Sequence, residues 1–93
     1  AAGTTQGTAT ELVNADNEIT TVAAGAGVIL ASNSSAGDTQ SVFNVGANPL
    51  NVYPTSGARI NALALNGAII LATNTGCIFK KVSTTRWFGV LSA

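Results

Sequence analysis

Short apolar and β-branched runs recur about every ten residues from Glu11 onward, separated by Gly, Asn, Ser and Pro, a spacing typical of β-sandwiches and barrels. No window combines helical i, i+3, i+4, i+7 apolar spacing with freedom from Gly and β-branched residues. The pattern predicts a small all-β domain, an antiparallel sandwich or barrel (jelly-roll or tulip-like) of about eight short strands. The runs that predict strands lie near 10–13, 17–22, 27–31, 39–45, 50–54, 58–61, 68–72, 76–82 and 85–91.

The runs fall into two kinds. Residues 40–45 alternate between faces, which predicts a strand with one covered face. Residues 27–31 and 67–72 are apolar on both faces, which is typical of strands covered on both sides. A domain of this size has one interior, so we expect another copy of the chain to cover the second face. The alternative is that long side chains and the N-terminal segment of the same chain cover it.

Turn residues mark the middle of the chain. Gly and Asn within 46–49 tolerate positive φ, and Pro49 lacks an N–H, so this segment predicts a hairpin loop between the strands at 39–45 and 50–54. Pro54 ends the second of these strands, and Ser56-Gly57 predicts the next reversal.

The composition is typical of a protein that functions inside a larger assembly. The chain has 93 residues, enough for one domain, and only 9% of them are charged, against about 25% in ordinary soluble domains. With a net charge of zero, little self-repulsion would keep free monomers apart. Residues 1–10 are small and polar without periodicity, which predicts a flexible or extended arm ahead of a single sandwich domain at 11–93.

The charges are segregated along the chain. All four acidic residues precede position 39 and all four basic residues follow position 58, so we expect pairing across strands or between subunits. Four cations balanced by four anions do not form a nucleic-acid surface. No apolar run has the roughly 18–20 residues of a membrane span. Arg59, Lys80, Lys81 and Arg86 are predicted to contact an acidic partner surface.

The chain has few residues of the kinds that catalyse reactions or bind metals. Without histidine it lacks the Ser-His and Cys-His nucleophile arrangements and the usual zinc ligands. Asp16 and Glu18 are the only close acidic pair, and we interpret them as a solvated strand start rather than a glycosidase pair. Cys77 lies in an apolar run and is predicted to be a buried hydrophobe. We therefore expect no enzyme, and no catalytic, cofactor-binding or metal-binding residue.

A family resemblance adds a function. Gly27-Val-Ile-Leu, Gly37-Asp38, the block Phe43-Asn-Val-Gly-Ala-Asn-Pro-Leu-Asn-Val-Tyr-Pro54, and a closing Trp87 together resemble small structural proteins of tailed bacteriophages and prophages. The lead-in Thr-Gln-Gly-Thr-Ala-Thr at 5–10 is similar as well. The resemblance implies a trimeric capsid decoration (cement) protein, made in the host bacterial cytoplasm, that binds the major capsid protein on the outer surface of the virion. It brings no enzymatic residues and no small-molecule substrate.

Two alternatives stay open at this point. The same fold could be a module of a phage tail, fibre or spike. A carbohydrate-binding module would need exposed aromatic rings, for which Tyr53 and Trp87 are the candidates. For Trp87, an anchor in the core competes with an interface hot spot. The residues predicted to contact a partner are Thr4, Thr5, Gln6, Arg59, Leu63, Leu65, Ile69, Ile70, Lys80, Lys81, Arg86 and Trp87.

Overall fold

The computed structural model describes residues 3, 5–32, 35–61 and 63–91, and these residues form strands and turns without a helix. Each of the nine predicted runs overlaps an observed strand, so the all-β prediction is confirmed. The strands are β1 (Thr10–Glu11), β2 (Asp16–Ile19), β3 (Gly27–Ile29), β4 (Thr39–Asn44), β5 (Leu50–Tyr53), β6 (Arg59–Ile60), β7 (Ile69–Leu71), β8 (Thr75–Ser83) and β9 (Arg86–Leu91).

The strands form two mixed sheets, with orders β1-β3-β5-β7 and β2-β4-β8-β9-β6. From β1 to β5, successive strands alternate between the two sheets, so the neighbours within each sheet run parallel. β6 also runs parallel to β9, whereas β4–β8, β5–β7 and β8–β9 are antiparallel. The expectation of an antiparallel fold was therefore wrong, and no barrel closes within the described chain.

The predicted hairpin at 46–49 is instead a crossover from one sheet to the other, because β4 and β5 do not pair. The amide of Asn44 holds this crossover. Its Nδ2 donates to the carbonyls of Asn48 (2.9 Å) and Leu71 (3.0 Å), and its Oδ1 accepts from the N–H of Gly46 (2.9 Å). Gly46 is needed for close approach, because a Cβ there would lie 2.7 Å from Cγ2 of Val22.

Both sheets contribute to one hydrophobic core. Alternation along each strand sends one set of side chains inward, where burial supplies most of the folding free energy. The largest fully buried side chains include Trp87, Phe79, Leu30, Leu50, Ile60 and Leu71. The structure shows Trp87 as an anchor in the core, which was one of its two predicted roles.

The N-terminal segment turns back onto the body of the protein. The N–H groups of Thr8 and Ala9 both donate to the carbonyl of Thr5. Gln6 Nε2 donates to the carbonyl of Pro54 (2.8 Å) and to Oδ1 of Asn66 (3.1 Å). The described residues therefore do not confirm the predicted extended arm, because Gln6 finds hydrogen-bond acceptors on the folded domain.

Candidate partner interface

The outer face of the five-stranded sheet exposes a group of large apolar side chains. The exposed fraction of each residue is 41% for Phe43, 50% for Ile78, 46% for Phe88 and 72% for Val90. Val82, beside the bulge between Lys81 and Ser83, is 44% exposed. We call this surface the outer apolar face. Contiguous exposed apolar patches commonly mark interaction sites.

Strand alternation puts these side chains outside. In β8, Cys77 and Phe79 point into the core, and Ile78 lies between them on the other side. In β9, Trp87 is fully buried while its neighbour Phe88 is half exposed. Since both strands are apolar at successive positions, one set of apolar side chains is left on the outside.

One pair of residues covers part of this face. Phe43 and Gly76 are cross-strand partners, and the Phe43 ring lies over the glycine. A Cβ at position 76 would overlap the ring atoms Cδ1 and Cε1 of Phe43. Gly76 therefore lets Phe43 lie flat against the sheet.

The charges on this sheet are separated as they are in the sequence. Asp16 and Glu18 are exposed on β2, which forms one edge of the sheet. Lys80 is exposed on central β8, and Arg86 and half-buried Arg59 are register partners on β9 and β6. The guanidinium carbon of Arg86 lies 6.0 Å from the centroid of the Phe88 ring. The outer apolar face thus has an acidic edge and a basic side.

The outer face of the four-stranded sheet differs, and we call it the Tyr53 face. The Tyr53 ring lies over Gly27, where a Cβ would be 2.8 Å from Cε2 of Tyr53 and 2.9 Å from the carbonyl oxygen of Asn51. Ile29 is half-buried, and Ile70 on edge strand β7 is 62% exposed. The alternative that the chain's own side chains cover the strand at 27–31 therefore describes this sheet better than a second copy does.

The predicted interface residues do not form one surface. Leu63, Leu65 and Ile70 are exposed, and Ile69 packs partly against the core. Thr5 is exposed within the N-terminal turn, and Thr4 lies outside the described residues. Of the predicted set, Arg59, Lys80 and Arg86 do belong to the outer apolar face.

Two of the predicted contacts are corrected by their burial. Trp87 has no exposed surface, and its Nε1 donates to Oγ1 of Thr55 (3.3 Å). Lys81 is 7% exposed, and its Nζ lies 5.7 Å from the centroid of the Trp87 ring. Both side chains support the fold from inside, because their strand positions alternate with those of the outer face.

The sequence interpretation missed the apolar members of this face. The signal was present, because residues 76–79 and 87–91 are apolar at successive positions, as 27–31 and 67–72 are. Which of these runs would be covered depends on sheet order, and sheet order is set by long-range pairing that alternation along one strand does not encode.

An open cleft of about 510 Å³ lies at the end of the core, lined by residues that include Asn14, Asp38 and Gln40. The side-chain amide of Gln40 links two segments of the chain beside the cleft. Its Oε1 accepts from the N–H of Ala31 (3.0 Å), and its Nε2 donates to the carbonyl of Asn14 (2.8 Å). A carboxylate oxygen of Asp38 accepts from the N–H of Ser35 (2.8 Å). These hydrogen bonds hold together the segments that line the cleft.

Cys77 is buried, and burial raises the pKa of its thiol to about 11. The thiol therefore stays protonated near neutral pH and is a poor nucleophile. Within the described residues, no group of three or more Cys, Asp or Glu side chains is placed to hold a metal ion. The part of the chain that the structure describes also has no helix able to span a membrane.

Comparisons of the chain with protein-family models, with curated proteins and with solved structures find no match.

Proposed function

We propose that this chain is a non-enzymatic structural protein of a tailed-phage virion, a capsid decoration protein with a β-sandwich domain. It binds the major capsid protein on the outer surface of the mature shell as a homotrimer. The observation that carries the proposal is the outer apolar face, because a chain with so few charges and such a face needs a partner to cover it. The resemblance of the block at 43–54 to phage structural proteins supplies the kind of assembly.

A protein of this kind needs no catalytic group. It stabilises the shell by mass action, because it binds the assembled lattice and not the separate or immature subunits. Three linked subunits also attach more firmly than one, since each contact raises the effective concentration of the others. Closed symmetry limits the growth of the oligomer, which suits a poorly charged protein.

The carbohydrate-binding alternative is weakened by the placement of its two aromatic side chains. Trp87 is fully buried in the core, and the Tyr53 ring lies against Gly27 in the surface of the other sheet. A sugar platform needs exposed rings, and of the two candidates that the sequence offered only half-buried Tyr53 could contribute one. Glycan-array binding that is lost in Tyr53→Ala would revive this alternative.

The proposal is tested by nanogold labelling of the protein on intact particles of its source virus, viewed by electron microscopy. We expect gold over the whole shell. Gold confined to the tail or to one vertex would favour the tail, fibre or spike module instead. Particles without label would remove the virion assignment.

The binding step has its own test. Purified protein is incubated with mature shells and, in parallel, with unexpanded shells, and the bound protein is measured after sedimentation. The proposal requires binding to mature shells in excess of binding to immature ones. Equal binding to both would contradict stabilisation of the mature lattice.

A further inference from the structure

The strand register arranges the outer apolar face in rows across the sheet. Neighbouring strands lie about 4.8 Å apart, so the five strands span roughly 19 Å. Apolar side chains and Lys80 occupy the middle, the acidic edge lies on β2, and the basic side, with Arg59 and Arg86, lies on β9 and β6. Successive rows contain Glu18, Phe43 and Gly76; then Asp16, Ser41, Ile78 and Val90; then Thr39, Lys80 and Phe88.

We propose that this face is the surface through which copies of the chain associate, with a second copy of the chain as its occupant. Face-to-face pairing is two-fold and joins two copies, so it is additional to the contacts that would close the proposed trimer, and it does not rest on the proposed function.

Charge complementarity selects a second copy as the partner. A surface with acid at one side and base at the other is matched by the same surface turned around, because each acidic edge then meets a basic side. A uniformly acidic or basic partner would match one side of the face and be repelled by the other. The apolar middle excludes water in such a contact, as the centre of an interface does.

The packing of single residues fits this role. Phe43 lies flat over Gly76, and Arg86 lies against the Phe88 ring, so two of the large side chains are already held before association. Held side chains lose less conformational freedom on binding, which favours association. The face measures roughly 19 Å by 20 Å, about half the area per partner of a standard stable interface. We therefore expect an oligomer that forms with rising protein concentration, rather than a permanent one.

The first test compares two exposed isoleucines on opposite sheets. Ile78→Glu places a charge in the middle of the outer apolar face, and Ile70→Glu places the same charge at the edge of the Tyr53 face. Sedimentation velocity over a concentration series measures the association of each full-length variant. We expect wild type and Ile70→Glu to associate alike, and Ile78→Glu to associate at least tenfold more weakly.

Circular dichroism and thermal melting check that the variants fold. If Ile78→Glu does not fold, Ile78→Thr with Val90→Thr replaces it, because both threonines are β-branched and polar and suit exposed strand positions. The expected result for this pair is the same loss of association. Unchanged association in this folded variant would overturn the proposal.

A charge-reversal experiment tests the orientation of the two copies. Asp16→Lys with Glu18→Lys leaves both sides of the face basic, and we expect it to weaken association. Adding Arg59→Glu with Arg86→Glu reverses both sides, and we expect association to return. If the fourfold variant stays as weak as the double variant, copies do not meet acid to base.

Besides unchanged association in Ile78→Thr with Val90→Thr, three outcomes overturn the proposal. They are a wild-type protein that stays monomeric throughout the concentration series, dissociation by Ile70→Glu but not by Ile78→Glu, and no rescue by the second charge reversal. None of them depends on shell binding, so the proposed function fails separately if the associating protein does not bind mature shells. A monomer that still binds shells would instead assign the outer apolar face to the capsid protein.

Discussion

The outer faces of the two sheets differ in how far the apolar residues of their central strands are covered, although Ile70 on edge strand β7 of the Tyr53 face is exposed too. On the Tyr53 face, a ring from β5 lies over a glycine of β3, and the neighbouring Ile29 is half-buried. On the outer apolar face, Phe43 covers Gly76 in the same manner, but Ile78 and Phe88 remain about half exposed and Val90 remains largely exposed. An apolar run on both faces of a strand therefore indicates an interface only when the chain's own aromatic side chains do not cover it.

The largest expected effect on stability distinguishes a buried from an exposed side chain of β9. Trp87→Ala removes a fully buried side chain and should lower the free energy of unfolding by about 3–5 kcal/mol. Phe88→Ala, at the next position on the outer face, should cost about 1 kcal/mol. Urea denaturation of the two variants at low protein concentration measures the difference. Similar losses would mean that the outer apolar face stabilises the monomer itself.

The next largest loss of stability is expected at the connection between the sheets. Asn44→Ala leaves the Gly46 N–H and the carbonyls of Asn48 and Leu71 without their buried partner, and should cost about 2–3 kcal/mol. The control is Asn51→Ala, whose amide makes an exposed hydrogen bond to the carbonyl of Gly25 (3.2 Å) and should cost less than about 1 kcal/mol. Thermal and urea unfolding measure both variants. Equal costs would show that burial of the Asn44 amide does not matter.

The two covered glycines sharpen the comparison of the faces. In Gly27→Ala the new methyl group meets the backbone oxygen of Asn51 as well as Tyr53, so the strain should cost about 1–3 kcal/mol. In Gly76→Ala the three atoms nearest the methyl group all belong to the half-exposed ring of Phe43, which can turn toward solvent, so the cost should be below about 1 kcal/mol. The displaced ring should instead weaken association in sedimentation velocity. The reverse order of stability would contradict this account.

The smallest effect is a pH dependence confined to the four-stranded sheet. Hydrogen bonds from the Ser32 hydroxyl (2.6 Å) and N–H (2.9 Å) to Oε2 of Glu11 lower the pKa of this carboxyl from its ordinary value of 4.5. A lowered pKa in the folded state adds stability above pH 4.5, and this stability is lost as the pH falls through the folded value.

The variant for this pH test is Glu11→Gln, with unfolding measured from pH 7 down to pH 3. We expect a small advantage of wild type at neutral pH that shrinks in acid. Glu18→Gln on β2 of the other sheet is the control. An advantage over Glu11→Gln that stayed constant across the titration would exclude a contribution from ionised Glu11.

The strands were predictable because alternation and turn residues are local signals. The pairing of strands was not, since the parallel neighbours β1 and β3 are separated by a strand of the other sheet. The segment 46–49 has the residues typical of a hairpin loop. The hydrogen bonds of the Asn44 amide instead stabilise a connection from one sheet to the other. Of the candidate interface, the three cations on the outer face of the five-stranded sheet were predicted, but the exposed apolar side chains were not. Only the sheet order distinguishes the run at 76–79 from the covered run at 27–31.

The four strands at the sheet edges are short. β1 and β6 have two residues each, β7 has three and β2 has four, and β2 carries two exposed carboxylates. An edge of this length exposes few free N–H and C=O groups, so it is a poor template for adding strands from other molecules. The short edges thereby oppose growth of the protein into cross-β fibrils, even though its low surface charge offers little protection from aggregation.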